Sequence, residues 1–158
     1  MADPRRSRPR FAPGYGIAAV PDGMLEWDWA TERLASARNY WVATTKPGGA
    51  PHAAPVWGLW ADDAVVFSTS RESRKGRNLA RDPRVVIHLE SGDEVVIVEG
   101  DVEETALDDR LADAYEAKYG FRPEPGSPGG FWLRLRPRVA LAWMESDYPS
   151  TATRFRFD

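Results

Sequence analysis

The stretch from Ser70 to Val85, SRESRKGRNLARDPRV, concentrates positive charge in a chain of 158 residues whose net charge is −3. Its basic side chains are Arg71, Arg74, Lys75, Arg77, Arg81 and Arg84. Only Glu72 and Asp82 oppose them within the stretch. Three explanations fit this pattern: a solvated helix face, a patch that binds nucleic acid, or a site for one small, multiply charged anion.

The position of the charges indicates why an anion site deserves equal weight with a solvated helix. Ser73 is a good N-cap residue, so Arg74 and Lys75 fall in the first helical turn. Cations there are unfavourable, because the helix dipole places its positive end at the N-terminus. A bound anion would offset that repulsion, and the free backbone N–H groups of a first turn also favour phosphate. Further donors in the same segment are the hydroxyls of Ser68, Thr69, Ser70 and Ser73.

The composition argues against several classes of site. The chain has no cysteine and two histidines, His52 and His88, so we expect no disulfide, no thiol redox chemistry and no metal site. It contains no apolar run of about 18 residues and no secretory signal, which predicts a cytoplasmic protein without a membrane partner. Because the chain is acidic overall, its basic cluster fits a discrete anionic ligand better than a nucleic acid.

Hydrophobic periodicity predicts a single domain over residues 17–158, preceded by a flexible arm over 1–16. Helical spacing is found over Leu25–Ala37, Arg74–Arg81 and 105–120, with Thr105 as the N-cap of the last helix. Strand patterns are found over 38–45, 50–60, 64–70, 84–90, 94–104, 131–137 and 138–145, followed by a polar tail. Pro51 and Pro55 should place the second strand at a sheet edge or give it a bulge. This order predicts a mainly β fold, an antiparallel barrel with appended helices.

The order of these parts resembles the pyridoxamine 5′-phosphate oxidase-like split β-barrel superfamily, and within it the branch of flavin- and deazaflavin-dependent oxidoreductases. The specific motif is Ser73-Arg74-Lys75, placed after VFST and before NLARDPRV. The similarity extends from the helix near Trp27 to the end of VVIVEGDVEE. It implies a six- to seven-stranded antiparallel split β-barrel of the FMN-binding type, and a homodimer with the cofactor at its interface.

The resemblance also implies which residues bind the cofactor, FMN or coenzyme F420. In this superfamily loop hydroxyls and the Arg-Lys pair hold the cofactor's phosphate; they correspond here to Thr69, with Ser68 beside it, Ser73, Arg74 and Lys75. The backbone that lies along the tricyclic ring corresponds to Pro55, Val56 and Trp57. From the charges on the same helix we add the inference that Arg77, Asn78 and Arg81 reach a longer acidic tail, such as that of F420.

The implied activity is hydride transfer between the bound cofactor and a small organic acceptor, and the sequence identifies no catalytic acid. The alternative is a carrier or sensor of flavin, F420 or haem on the same fold. The chain departs from the pyridoxamine phosphate oxidases in its fifth strand, where Glu94 or Val95 replaces a polar flavin contact, so that reaction is not predicted. Two roles remain open, substrate contact or plain packing, for His52, Tyr115 and Tyr119.

Overall fold

The computed structural model describes residues 3–126 and 130–158, and within them it contains nine strands and four α-helices. The strands are β1 Arg5–Ser7, β2 Tyr40–Thr45, β3 Pro51–Val56, β4 Gly58–Ala61, β5 Ala64–Ser70, β6 Arg84–His88, β7 Glu94–Thr105, β8 Gly130–Met144 and β9 Thr153–Arg156. The helices are α1 Trp27–Ser36, α2 Arg74–Arg81, α3 Asp109–Tyr119 and α4 Tyr148–Thr151. The predicted mainly β fold with appended helices is confirmed.

The two long strands, β7 and β8, form the centre of the sheet. Neighbouring strands pair antiparallel in the order β1-β9-β8-β7-β6-β2-β3. β5 lies off this path: it pairs with the first part of β8, from Gly130 to Leu135, and carries β4 on its other side. Because β8 pairs with β5 near its start and with β9 near its end, it connects two halves of the sheet.

Two hydrophobic clusters hold the sheet and helices together. The larger cluster contains alternate residues of the strands together with Leu34 of α1, and Tyr40, Phe67 and Phe155 within it are fully buried. The smaller cluster lies between α3 and the other face of β4 and β5. Each large side chain that is fully buried contributes about 1.5–3 kcal/mol. The smaller cluster therefore anchors α3 firmly beside β4.

The predicted second strand, 50–60, is divided into β3 and β4, with the break at Trp57. β3 pairs with β2, and β4 pairs with β5, so the chain changes from one half of the sheet to the other at this point. Gly58 permits the change, since a Cβ atom there would lie 2.8 Å from the Val66 carbonyl oxygen. Within the described residues β3 pairs with no strand other than β2, so it is an edge strand, as Pro51 and Pro55 predicted.

The two predicted C-terminal strands are one continuous strand, β8. Pro137 does not end it, because the register of β7 and β8 shifts between Glu99 and Gly100, and Gly100 lies opposite the proline. A bulge of this kind accommodates a residue that donates no ladder hydrogen bond. The predicted polar tail is also ordered, since β9 pairs with both β1 and β8. These changes account for nine strands instead of six or seven.

Two further predictions of local structure are wrong. α3 begins later than predicted: Thr105 ends β7, and the Asp108 side chain caps α3 by accepting a hydrogen bond from the Leu111 backbone N–H at 2.8 Å. Residues 1–16 are not a flexible arm throughout, because β1 pairs with β9. The guanidinium of Arg8, just after β1, donates to the carbonyl oxygens of Val20, Asp22, Ser150 and Ala152.

Candidate functional site

The start of α2 combines an N-cap with a network of hydroxyl groups. Ser73 Oγ accepts a hydrogen bond from Gly76 N at 3.0 Å and donates to Ser70 O at 2.8 Å. Thr69 Oγ1 lies 2.9 Å from Ser73 Oγ. Gly76 allows this tight arrangement, because a Cβ atom there would lie 2.1 Å from Ser70 O. The sequence therefore predicted correctly both the cap at Ser73 and the helix from Arg74 to Arg81.

Three of the six basic residues in this stretch are already engaged. Arg71 makes a bidentate ion pair with Glu104, at 2.7 and 2.8 Å. Arg81 donates to the Thr45 carbonyl oxygen at 2.8 Å, and Arg84 pairs with Asp82.

The other three are Arg74, Lys75 and Arg77, which have no hydrogen-bond or ion-pair partner within the described residues. All three lie in the first half of α2, where the helix dipole disfavours cations. Uncompensated positive charge therefore collects beside the Thr69 and Ser73 hydroxyls, and this arrangement suits a phosphate.

Two of the predicted cofactor-binding residues, one for the acidic tail and one for the phosphate, point elsewhere. Asn78 is 1% exposed and donates from Nδ2 to Thr44 Oγ1 at 3.0 Å, so it ties α2 to β2 and does not reach outward beside Arg77. Ser68 and Thr69 are adjacent in β5, so their side chains lie on opposite faces. The Ser68 side chain faces a groove that Tyr115 and Trp132 also line, away from the Ser73 hydroxyl.

The predicted ring-binding residues lie at the free edge of the sheet. Pro55 is exposed, Val56 is buried, and Trp57 keeps 40% of its surface exposed although it is a large apolar side chain. α2 packs against β2, β3 and β5, so the helix that carries the hydroxyl groups and free cations contacts the edge strand to which Pro55 and Val56 belong.

A cluster around Trp57 contains residues that the sequence did not assign to a site. The Trp57 indole stacks on the Tyr119 ring with 4.6 Å between centroids and an interplanar angle of 6°. The Arg38 guanidinium carbon lies 5.4 Å from the Trp57 centroid and 5.8 Å from that of Tyr119. Burial lowers the pKa of the neighbouring Lys118 to about 8. The spacing of Tyr115 and Tyr119 was the sequence signal for this helix face, but nothing local linked it to Trp57.

The remaining sequence candidates have structural contacts. His88 stacks on Trp41 with an interplanar angle of 2°, and its Nδ1 lies 2.8 Å from Leu89 O. His52 lies opposite Thr44 in the β2–β3 ladder, and its Nδ1 is buried without a hydrogen-bond partner in the described part of the chain. Burial raises the pKa of Tyr115 to about 12, and its ring contacts Trp132 edge-on.

None of the described helices is long and apolar enough to cross a membrane.

The antiparallel sheet, whose two halves are connected by β8, has the split-barrel fold of FMN-binding proteins. The chain belongs to the pyridoxamine 5′-phosphate oxidase family, whose model matches residues 28–150. A curated relative from Anaeromyxobacter dehalogenans (strain 2CP-C), named pyridoxine/pyridoxamine 5′-phosphate oxidase, is 38% identical in an alignment 150 residues long that covers 89% of this chain and 73% of the relative.

Solved structures share this fold at low sequence identity. An F420 reductase superposes with a TM-score of 0.55 at 20% identity, over 69% of this chain and 94% of that chain. A pyridoxamine 5′-phosphate oxidase-related, FMN-binding protein from Nostoc punctiforme superposes with a TM-score of 0.55 at 19% identity, over 75% of this chain and 80% of that chain. The names of these relatives thus include both an FMN-binding protein and an F420 enzyme.

Proposed function

We propose that this protein is an oxidoreductase that binds F420 or FMN and transfers a hydride between that cofactor and a small organic acceptor. The observation that carries the proposal is the start of α2, where Arg74, Lys75 and Arg77 have no partner in the described residues and flank a hydroxyl-capped helix. Three cations in the half of a helix that disfavours them are expected where an anion is bound.

The chain's own residues supply binding and orientation. Thr69, Ser73, Arg74 and Lys75 fit a phosphate, because they combine hydroxyl groups, free cations and the N–H groups of a helix start. The backbone of Pro55–Trp57 would lie along the ring. The bound flavin or deazaflavin supplies the hydride chemistry. We assign no proton donor.

The choice between the two cofactors depends on the acidic tail that distinguishes F420 from FMN. Arg77 is exposed and free within the described residues, so it is available to such a tail. Asn78 and Arg81 were predicted to assist it, but Asn78 is buried and Arg81 is bound to Thr45. Replacing Arg77 by Gln should therefore weaken the binding of F420 more than that of FMN if the tail lies along α2.

The same proposal includes a homodimer that completes the cofactor site. The outward-facing sides of β2, β6, β7 and β8 form a row of cross-strand neighbours, namely Trp41, His88, Ile97 and Leu141. These side chains are partly exposed and belong to neither hydrophobic cluster of the described residues. A second copy of the chain would bury this apolar face and the adjoining edge strand β3, which is otherwise open to pairing.

The first experiment is a titration of the purified protein with FMN and with F420, followed by fluorescence and calorimetry. Lys75→Ala should weaken binding of the preferred cofactor about 10- to 100-fold, since charge-assisted hydrogen bonds contribute about 1.5–3 kcal/mol. Arg84→Ala is the matched control, because Arg84 belongs to the same basic stretch but pairs with Asp82. Unchanged affinity in Lys75→Ala, or binding of neither cofactor, would overturn the proposal.

A carrier or sensor on the same fold is separated from an enzyme by turnover. An oxidoreductase should oxidise the reduced cofactor faster than a protein-free control when unsaturated or quinone-like acceptors are added. A carrier would bind the cofactor with similar affinity and leave that rate unchanged.

A further inference from the structure

The strand break at Trp57 and Gly58 is held by the last turn of α3. Tyr119 Oη accepts a hydrogen bond from Gly58 N at 2.9 Å and lies 2.8 Å from both Gly58 O and Arg38 O, to either of which it donates its proton. Lys118 Nζ donates to Gly58 O at 2.9 Å. Both backbone polar groups of Gly58 are therefore bound by two consecutive side chains that are 60 and 61 positions away in sequence.

Lys118 connects this break to the interior of the barrel. Its Nζ also donates to Tyr40 Oη at 3.1 Å, and Tyr40 is fully buried and donates in turn to Leu34 O. No carboxylate pairs with Lys118 in the part of the chain that the structure describes. A half-buried ammonium group without a counter-charge is costly, so its placement needs a reason beyond packing.

Trp57 depends on the same turn of α3 for the orientation of its side chain. Its indole is parallel to the Tyr119 ring, so the hydroxyl of Tyr119 fixes the peptide of Gly58 while the ring fixes the neighbouring indole. Glycine at such a break has more backbone freedom than other residues.

We propose that Tyr119 and Lys118 are positioning residues that hold the backbone of Gly58, and with it the adjoining Trp57, in the orientation that the cofactor ring requires. They act through Trp57 and Gly58 and do not touch the ring themselves. The inference rests on the proposed function, which places the Pro55–Trp57 backbone against that ring. It predicts that loss of the Tyr119 hydroxyl weakens cofactor binding, in addition to any loss of folding stability.

The test compares Tyr119→Phe with Tyr115→Phe in the full chain. Tyr115 lies one turn earlier on the same helix, and its hydroxyl has no hydrogen-bond partner among the described residues. Three quantities are measured besides stability: the hydrogen exchange rate of the Gly58 amide, the dissociation constants of FMN and F420, and the circular dichroism band of the bound cofactor. Lys118→Met is the second variant, in case Tyr119→Phe does not fold.

In Tyr119→Phe we expect faster exchange at Gly58, an affinity about 3- to 10-fold weaker, and an altered circular dichroism band when the site is saturated. Tyr115→Phe should match the wild type in all three. If the wild type binds a cofactor and Tyr119→Phe and Lys118→Met bind it with the same affinity and spectrum, the positioning role is wrong and the proposed function stands. If the wild type binds neither cofactor, the proposed function falls and the positioning role with it.

Discussion

Gly76 offers a test in which two physical effects predict opposite signs. It lies in the first turn of α2, where a Cβ atom would be 2.1 Å from Ser70 O and 3.1 Å from both the Cα and the carbonyl oxygen of Arg71. Helix propensity alone predicts that Gly76→Ala stabilises the protein by about 0.5–1 kcal/mol. The steric contact predicts destabilisation, because the atoms that the new methyl group meets are backbone and cannot rotate away.

The magnitude follows from what must move. Relieving the contact requires the loop before α2 to shift by about 1 Å, and overpacking of this kind costs about 1–3 kcal/mol. The shift also strains the hydrogen bonds of Ser73 to Gly76 N and Ser70 O, and a lost N-cap costs about 1 kcal/mol. After the gain in helix propensity is subtracted, Gly76→Ala should lower the free energy of unfolding by about 1–3 kcal/mol.

The assay is urea unfolding of the wild type, Gly76→Ala and Gly92→Ala. Gly92 is the matched control: it lies in the exposed turn between β6 and β7, and a Cβ atom there would have no neighbour within 4 Å. Gly92→Ala should stay within about 0.5 kcal/mol of the wild type. If Gly76→Ala is as stable as Gly92→Ala, or more stable, the tight packing of the loop on α2 is refuted.

Two further predictions concern charge and assembly. Burial lowers the pKa of Lys118 to about 8, whereas the unfolded chain holds that proton up to its usual value near 10.5. Unfolding therefore takes up a proton between these pH values, and the wild type should gain about 1–2 kcal/mol of stability from pH 8 to 10.5, allowing for solvent screening of a half-buried group. Lys118→Met should lack this rise in chemical unfolding, and parallel pH curves would contradict the assignment. For the dimer, sedimentation should show that Ile97→Lys is monomeric while Ala35→Lys, on an exposed position of α1, stays dimeric; a monomeric wild type would exclude the proposed interface.

Local signals in the sequence predicted a large part of the fold. Ser73 and Pro83 bracket α2, so its limits follow from an N-cap and from a residue that cannot continue a helix. Pro51 and Pro55 predicted the edge strand by the same kind of reasoning. The errors occur where a distant strand decides the outcome. Pro137 lies within β8 because Arg138 is an extra residue that shifts the register against β7, with Gly100 opposite the proline, and no pattern near the proline indicates that distant partner.

The candidate site divides in the same way. The hydroxyls and cations of the α2 segment were visible because they are neighbours in sequence. The sequence did not show which of these cations remain free. Arg71 is engaged by Glu104, 33 positions away, and Arg81 by Thr45, 36 positions away. The burial of Asn78 against Thr44 was not visible either, because it depends on how α2 packs on β2.

The free cations at the start of α2 imply a conflict between stability and binding that Lys75→Ala can expose. A cation in the first turn of a helix is unfavourable by about 0.3–1 kcal/mol, so its removal should slightly stabilise the protein when no ligand is present. The same change should reduce the extra stability that a saturating anion confers, because a ligand that binds only the folded state stabilises it in proportion to the logarithm of its affinity. Lys75→Ala should therefore be more stable than the wild type without cofactor and less stable than the wild type when FMN or F420 is saturating. If Lys75 only belonged to a solvated helix face, the more stable of the two proteins would be the same with and without cofactor. This difference separates the two explanations of the basic stretch without any assay of turnover.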